Sequence, residues 1–330
     1  KVHHRSQVLS VHPEDYRFKM ALKIASIKNQ GNPGTTAGTV TEDIRLNYNV
    51  HTFHLDVFAL KDEATAATIQ NLVDKITNVK VSTLAGNPES VIDGDDLFDA
   101  QGLIWQRYRY HSILTSTDGI PHAFGVQLPM SPFPEDPTRN FGLNANNGVQ
   151  WSMDIAADTN QDFDGYAYDL TVSGLDTSDK PNSLGHIKYI QDAFTSGAVN
   201  SARDTVCGPA SRLLGVYNFM TTSFDDLAAD VAFDVTGIRE QQVTFSESIA
   251  ASYKPSRTWS MKKIQTVSTF ATSPSIINVL DDGRFYEDYG IQNDNASLGI
   301  NISGIGQNTK IRTIAGVASE ATRVMPILLV

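Results

Sequence analysis

Apolar and polar residues alternate along much of this chain. Ile44, Leu46, Tyr48 and Val50 occupy even positions, and Phe53, Leu55 and Val57 continue the alternation on odd ones. A period of two marks a strand with one buried face, and a single change of parity is what one extra residue produces. The pattern therefore predicts a long strand with a bulge or kink between Val50 and Phe53. Val149, Trp151, Met153 and Ile155 give a second clear strand, and Tyr166, Tyr168, Leu170 and Val172 a third. Asp162-Phe163-Asp164-Gly165 reads as the hairpin connection joining the last two.

Helical spacing is brief. Ile69, Leu72, Val73 and Ile76 make one short amphipathic turn that runs into a strand at Asn78-Val79-Lys80-Val81-Ser82, closed by Gly86-Asn87-Pro88. Asp93-Gly94-Asp95-Asp96 supplies N-cap chemistry for a second helix from Leu97 towards Ile104 and Tyr108. Phe124, Val126 and Leu128 alternate again, before Pro129, Pro132, Pro134 and Pro137 impose an extended loop. Residues 174–210 are rich in Gly, Ser, Asp, Asn and Pro apart from a helix expected around Ile187–Phe194, so the passage between domains is placed there. Alternation then restarts at Leu227, Ala229, Val231, Phe233 and Val235, with further strands at Val243 and Phe245, Ile276–Leu280, Leu298 to Ile302 and Ile311–Val317. Two sets of half-buried strands with polar connections predict an all-β protein of two β-sandwiches.

At 330 residues the chain is long enough for two such domains. Its one cysteine, Cys207, excludes an internal disulfide, which suits a reducing cytoplasm. No run approaches the roughly 18 apolar residues that a membrane helix needs, including Met325-Pro326-Ile327-Leu328-Leu329-Val330, and the N-terminal residues give no support for export. Charge is uneven. Residues 1–30 carry Lys1, Arg5, Arg17, Lys19, Lys23 and Lys28 against Glu14 and Asp15, leaving 20 of the 26 basic and 35 of the 37 acidic side chains for the rest. A basic arm on an acidic body suits contact with nucleic acid, an anionic membrane or an acidic neighbour.

Chemistry-bearing clusters are few. Asp158, Asn160, Asp162 and Asp164 place oxygens at alternate positions of one turn, a pattern fit for calcium but lacking a terminal bidentate Glu; the same residues also suit an ordinary turn. His51 and His54 face opposite ways in an extended strand, so they share a metal only if a bulge realigns them. His54 and Asp56 share a face. Cys207 has no histidine nearby in sequence and reads as an inert thiol. No phosphate loop, dinucleotide fingerprint, nucleophile elbow or paired-Cys zinc motif is present, so no catalytic residue is assigned and no cofactor beyond calcium is expected. Arg107-Tyr108-Arg109-Tyr110-His111 interleaves bases with aromatics, and Asn295-Ala296-Ser297 and Asn301-Ile302-Ser303 match the glycosylation sequon.

The run Thr68–Val81, the turn and the Gly94-Asp95-Asp96-Leu97 helix start resemble the opening of a viral jelly roll. The proline-rich passage ending in Phe141-Gly142-Leu143, with the strand at Val149–Ile155, is similar to its later strands. Over about residues 40–175 the chain thus resembles the major capsid proteins of tailless icosahedral viruses with internal membranes. That resemblance implies two upright jelly rolls side by side with short helices in their connections: a basic arm over 1–35, a first roll over 36–195 and a second over 196–330. It implies a homotrimer tiled into a virion shell through lateral contacts with its own copies, made in the host cytoplasm and joined by minor capsid or vertex proteins. Lys1, Arg5, Arg17, Lys19 and Lys23 would face inward to membrane or nucleic acid, and no catalytic residues follow. The rival reading is a two-domain β-sandwich spike or adhesin that grips a receptor or sugar, with calcium at the Asp158–Asp164 loop.

Overall fold

The computed structural model describes residues 22–34, 36–61, 69–105, 110–111, 121–133, 140–160, 162–176, 183–221, 237–245, 248–253, 284–290 and 299–330. Strands dominate them. The first half runs β1 (Leu22–Gly31), β2 (Gly38–Ile44), β3 (Tyr48–Lys61), a short helix α1 (Ile69–Val73), β4 (Ile76–Thr83), β5 (Pro88–Ile92) and α2 (Gly94–Leu103). It continues through β6 (Tyr110–His111), β7 (Pro121–Pro129), β8 (Leu143–Asn144), β9 (Val149–Ile155) and β10 (Phe163–Asp176). Then follow β11 (Ile187–Ile190), β12 (Asp192–Thr195), β13 (Ala202–Val206), β14 (Arg212–Met220), β15 (Ile238–Phe245) and β16 (Ser248–Tyr253). The chain closes with β17 (Arg284–Asp288), β18 (Ile300–Asn301), β19 (Thr309–Ala315) and β20 (Ala321–Leu329).

These strands form three sheets. The first has the order β1-β10-β3-β7-β6, with β8 against β3. The second has ten strands, β17-β14-β20-β11-β5-β4-β9-β2, with β12 on β20 and β18 on β14. The third is β13-β19-β15-β16. Strands β5, β4, β9 and β2 face the first sheet, and the Trp151 ring of β9 stacks on the Tyr168 ring of β10 at 5.8 Å between centroids. Strands β14 and β20 face the third sheet, with Leu213, Val216, Val324 and Leu328 packed against Val243 and Ile311. The result is two sandwiches that share one ten-stranded sheet.

The expected bulge is present. Against β10, Ser173 pairs with Thr52 but Gly174 pairs with Val50, so His51 is the extra residue. Its carbonyl accepts the amides of both Met130 and Ser131, and a side chain at Gly174 would strike the Asn49 carbonyl oxygen at 2.2 Å. The bulge turns Phe53, Leu55, Val57 and Ala59 into the core.

Several expectations are corrected. Strands β9 and β10 do not form a hairpin: β9 pairs with β2 and β4, and β10 with β1 and β3. Both alternate because their apolar faces meet across the core, so the connection between them crosses from one sheet to the other. The helix expected at Ile187–Phe194 is instead β11 and β12. Ile187 and Tyr189 are buried while Lys188 and Ile190 are only partly so, a period of two, and both backbone edges of β11 are paired, to β20 and β5. Residues 22–31, read as part of the arm, form β1 and pair with β10. The second helix ends at Leu103. The strands expected at Leu227–Val235 and Ile276–Leu280 lie outside the described residues.

Replacing Trp151, fully buried between the two sheets of the first roll, with Ala is expected to lower the unfolding free energy by about 3–5 kcal/mol in denaturant titration. A loss under about 1 kcal/mol would contradict this packing.

Candidate functional site

Among the described residues, buried ion pairs gather at the seam where the two sandwiches share one sheet. Its backbone is β11, antiparallel to β20 at Ile187–Tyr189 and parallel to β5 at Tyr189–Ile190. Tyr189 is buried, and its hydroxyl donates to the Pro129 carbonyl at 2.7 Å. Along β20, Val324 and Leu328 enter the core of the second roll, whereas Met325, Ile327 and Leu329 enter that of the first. Strand β14 divides its side chains likewise, with Val216 on one side and Tyr217 on the other. A strand buried on both faces needs an unbroken apolar run, which explains Met325–Leu329.

Over this sheet lies α2 of the first roll. Asp93 caps it, accepting the Asp95 amide at 3.0 Å, and Phe98 on its apolar side meets Phe124 edge to face at 5.7 Å. Its acidic side is turned to the second roll. Arg323 of β20 pairs with Asp96: Nη2 donates to Oδ1 at 3.1 Å and Nε lies 2.7 Å from Oδ2 as an ion-pair contact. Arg284 of β17 binds Asp95 and places Nε 2.8 Å from Asp99. Both guanidiniums lie over the Phe219 ring, at 4.7 Å for Arg284 and 3.8 Å for Arg323. The Tyr217 hydroxyl and the Gln191 side-chain amide also donate to Asp96, at 3.2 and 2.5 Å. Burial pushes the Asp96 carboxyl up to about 6 despite the opposing pull of Arg323 and Arg284. Burial holds the Tyr217 phenol well above its usual range, so it stays a donor.

The sequence identified Asp93–Asp96 only as a helix cap and did not single out Arg284, Arg323, Gln191 or Tyr217. The available signal was Asp93 at the cap and Asp95, Asp96 and Asp99 on one short helix that carries no basic residue.

The residues named from sequence lie elsewhere. Asp158 accepts the amides of Asp162 and Phe163, the Tyr166 hydroxyl and, at 2.9 Å, the Lys75 ammonium. Lys75 also lies 4.0 Å from Asp162, so a lysine supplies the positive charge of this loop. Burial raises the Asp158 carboxyl but Lys75 and the amides outweigh it, leaving it below its usual value. Asn160 is exposed, and the side chain of Asp164 lies outside the described residues. Among the described residues no three His, Cys, Asp or Glu side chains are grouped to hold a metal. His51 is buried at the bulge, while His54 faces Ser173 at 3.0 Å. Burial pushes the Cys207 thiol up to about 12, which removes thiolate reactivity near neutrality. Lys23 sits in β1 with its ammonium 5.9 Å from the Tyr48 ring centroid. Lys1, Arg5, Arg17, Lys19 and Arg107–Arg109 lie outside the described residues.

No family model matches the chain, and no curated protein matches its sequence. Solved structures do match. The STIV major capsid protein superposes with a TM-score of 0.64 at 8% identity, over 94% of this chain and 97% of its own. PBCV-1 VP54 gives 0.60 at 11% identity over 95% of each chain. The major capsid protein P2 of bacteriophage PM2 gives 0.53 at 9%, over 94% and 98%. The fold is therefore the double jelly roll of these viral major capsid proteins, matched across both rolls.

Substituting Arg323 with Ala strands Asp96 without its main counter-charge. It is expected to lower stability by about 3–5 kcal/mol in denaturant unfolding. Arg312→Ala, which breaks the more exposed pair with Asp204, is expected to cost under about 1 kcal/mol. Equal losses would contradict a buried seam.

Proposed function

We propose that this chain is a major capsid subunit whose work is assembly rather than catalysis. The observation that carries the reading is the continuous sheet through both rolls, in a fold that superposes on viral capsid subunits along nearly all of its length. A tile in a shell must resist bending between its halves. Backbone pairing across β11 and the guanidinium–carboxylate cluster over it supply that stiffness without a ligand or disulfide.

In this reading the subunit forms a homotrimer, whose pseudo-hexagonal outline suits lateral packing against further copies. Minor capsid or vertex proteins would complete the shell, and the virion is its location after synthesis in the host cytoplasm. The basic residues Lys1, Arg5, Arg17 and Lys19 would then meet membrane or nucleic acid on the inner surface. Lys75 already neutralises Asp158, so stability in this reading does not depend on calcium.

Sedimentation of the purified protein at micromolar concentration is expected to give three times the chain mass, with a melting temperature unchanged by EDTA. A monomer that chelation destabilises would overturn the reading in favour of a calcium-dependent spike or adhesin.

A further inference from the structure

The turn whose spacing suits calcium holds a lysine between two aspartates. Lys75 stands between α1 and β4, and its carbonyl accepts the Ala156 amide at 2.8 Å. Ile76 pairs with Ile155, so the backbone sets Lys75 beside the segment that leads from β9 to Asp158. The Lys75 and Asp158 side chains are 11% and 2% exposed, and the Lys75 Nζ lies 2.9 Å from Asp158 Oδ1. The same Nζ is 4.0 Å from Asp162 Oδ2. We propose that Lys75 and Asp158 condense into an intramolecular isopeptide bond, with Asp162 carrying a proton between them. The bond is a covalent tie from the start of β4 to the crossover between the two sheets of the first roll.

The two oxygens of Asp158 have different settings. Oδ1 faces the ammonium and accepts the Asp162 amide at 3.2 Å. Oδ2 accepts the Phe163 amide at 3.0 Å and the Tyr166 hydroxyl at 2.9 Å. Two fixed donors on one oxygen, beside a nitrogen in contact with the other, suit the oxyanion of an acyl transfer. Burial and the neighbouring Asp158 hold the Tyr166 phenol well above its usual range, so it stays a donor.

The ion pair contains every atom the reaction needs. One proton passes from the Lys75 ammonium to Oδ1, leaving an amine and a carboxylic acid. The amine nitrogen attacks Cγ, a C–N bond forms, and the carbonyl electron pair moves onto Oδ2, where Phe163 and Tyr166 meet it. Asp162 takes a second proton from the nitrogen and passes it to Oδ1. The Cγ–Oδ1 bond then breaks, water leaves, and the nitrogen keeps its third proton as an amide N–H. Nothing is oxidised or reduced, and no co-reactant enters. Fixing the partners in contact replaces a bimolecular encounter with a unimolecular one, and burial of the product opposes the return of water.

Intact-mass spectrometry of the purified, unfolded full chain tests this. The wild type is expected to be one water lighter than its sequence, and after proteolysis Lys75 and Asp158 are expected in one branched peptide. Lys75→Arg, which keeps the positive charge without a primary amine, and Asp162→Asn are each expected to restore the full mass. A wild-type chain of full mass, with its Lys75 and Asp158 peptides recovered separately, overturns the proposal. So does a loss of water that survives in Lys75→Arg, since it then arises elsewhere in the chain. A loss that survives in Asp162→Asn overturns the part given to Asp162. Should neither variant fold, the presence or absence of the branched wild-type peptide decides alone.

Discussion

Strand β11 carries the rest of the structure. One of its edges is bonded to the last strand of the second roll and the other to β5 of the first. Without it the ten-stranded sheet would separate into two. Two sandwiches joined only by a linker would move relative to each other, because interfaces between domains in one chain are small and polar by default. Here the joint is a hydrogen-bonded ladder, and the side chains of β14 and β20 are divided between two cores. Any hinge motion at this line would have to open both apolar packings at once.

The ion cluster above the ladder sits where such a joint is most exposed to shear. A buried ion pair is a poor source of stability, since desolvation opposes the Coulomb gain, but it is strongly directional. Arg323 Nη2 donates to Asp96 and its Nε lies close to the same carboxylate, and both guanidiniums sit over the Phe219 ring. Apolar side chains would hold the rolls together equally well while permitting them to slip. In the proposed shell role the cluster would make their relative orientation specific.

Strands β3, β4, β7, β9 and β10 were legible because their buried positions alternate with wetter ones, whereas β1 and β5 were not read as strands. The parity change placed the bulge between Val50 and Phe53, where the structure puts it at His51, and the Asp93 cap located α2. What the sequence hid followed from burial on both faces and from distance. In β14 and β20 the periodicity vanishes, so Met325–Val330 read only as an apolar run. In β11 four residues are too few to tell a period of two from 3.6. Strands β9 and β10 showed the right alternation and the wrong pairing, because period reveals that a face is buried and not what covers it. The seam itself joins Asp96 to an arginine 227 positions away in the chain, and the calcium-like spacing at Asp158 gave no hint that Lys75 would occupy that turn.

Pairing of β11 to both β20 and β5 should make the two rolls one cooperative unit. Native-state hydrogen exchange measured strand by strand tests this most directly. The amides of β11 and of the β20 residues paired to it are expected to exchange only through global unfolding, with the same opening free energy as the core amides of β9. Exchange of β11 through a lower-energy opening, while β9 and β14 remain protected, would show two rolls that part independently and would contradict the account.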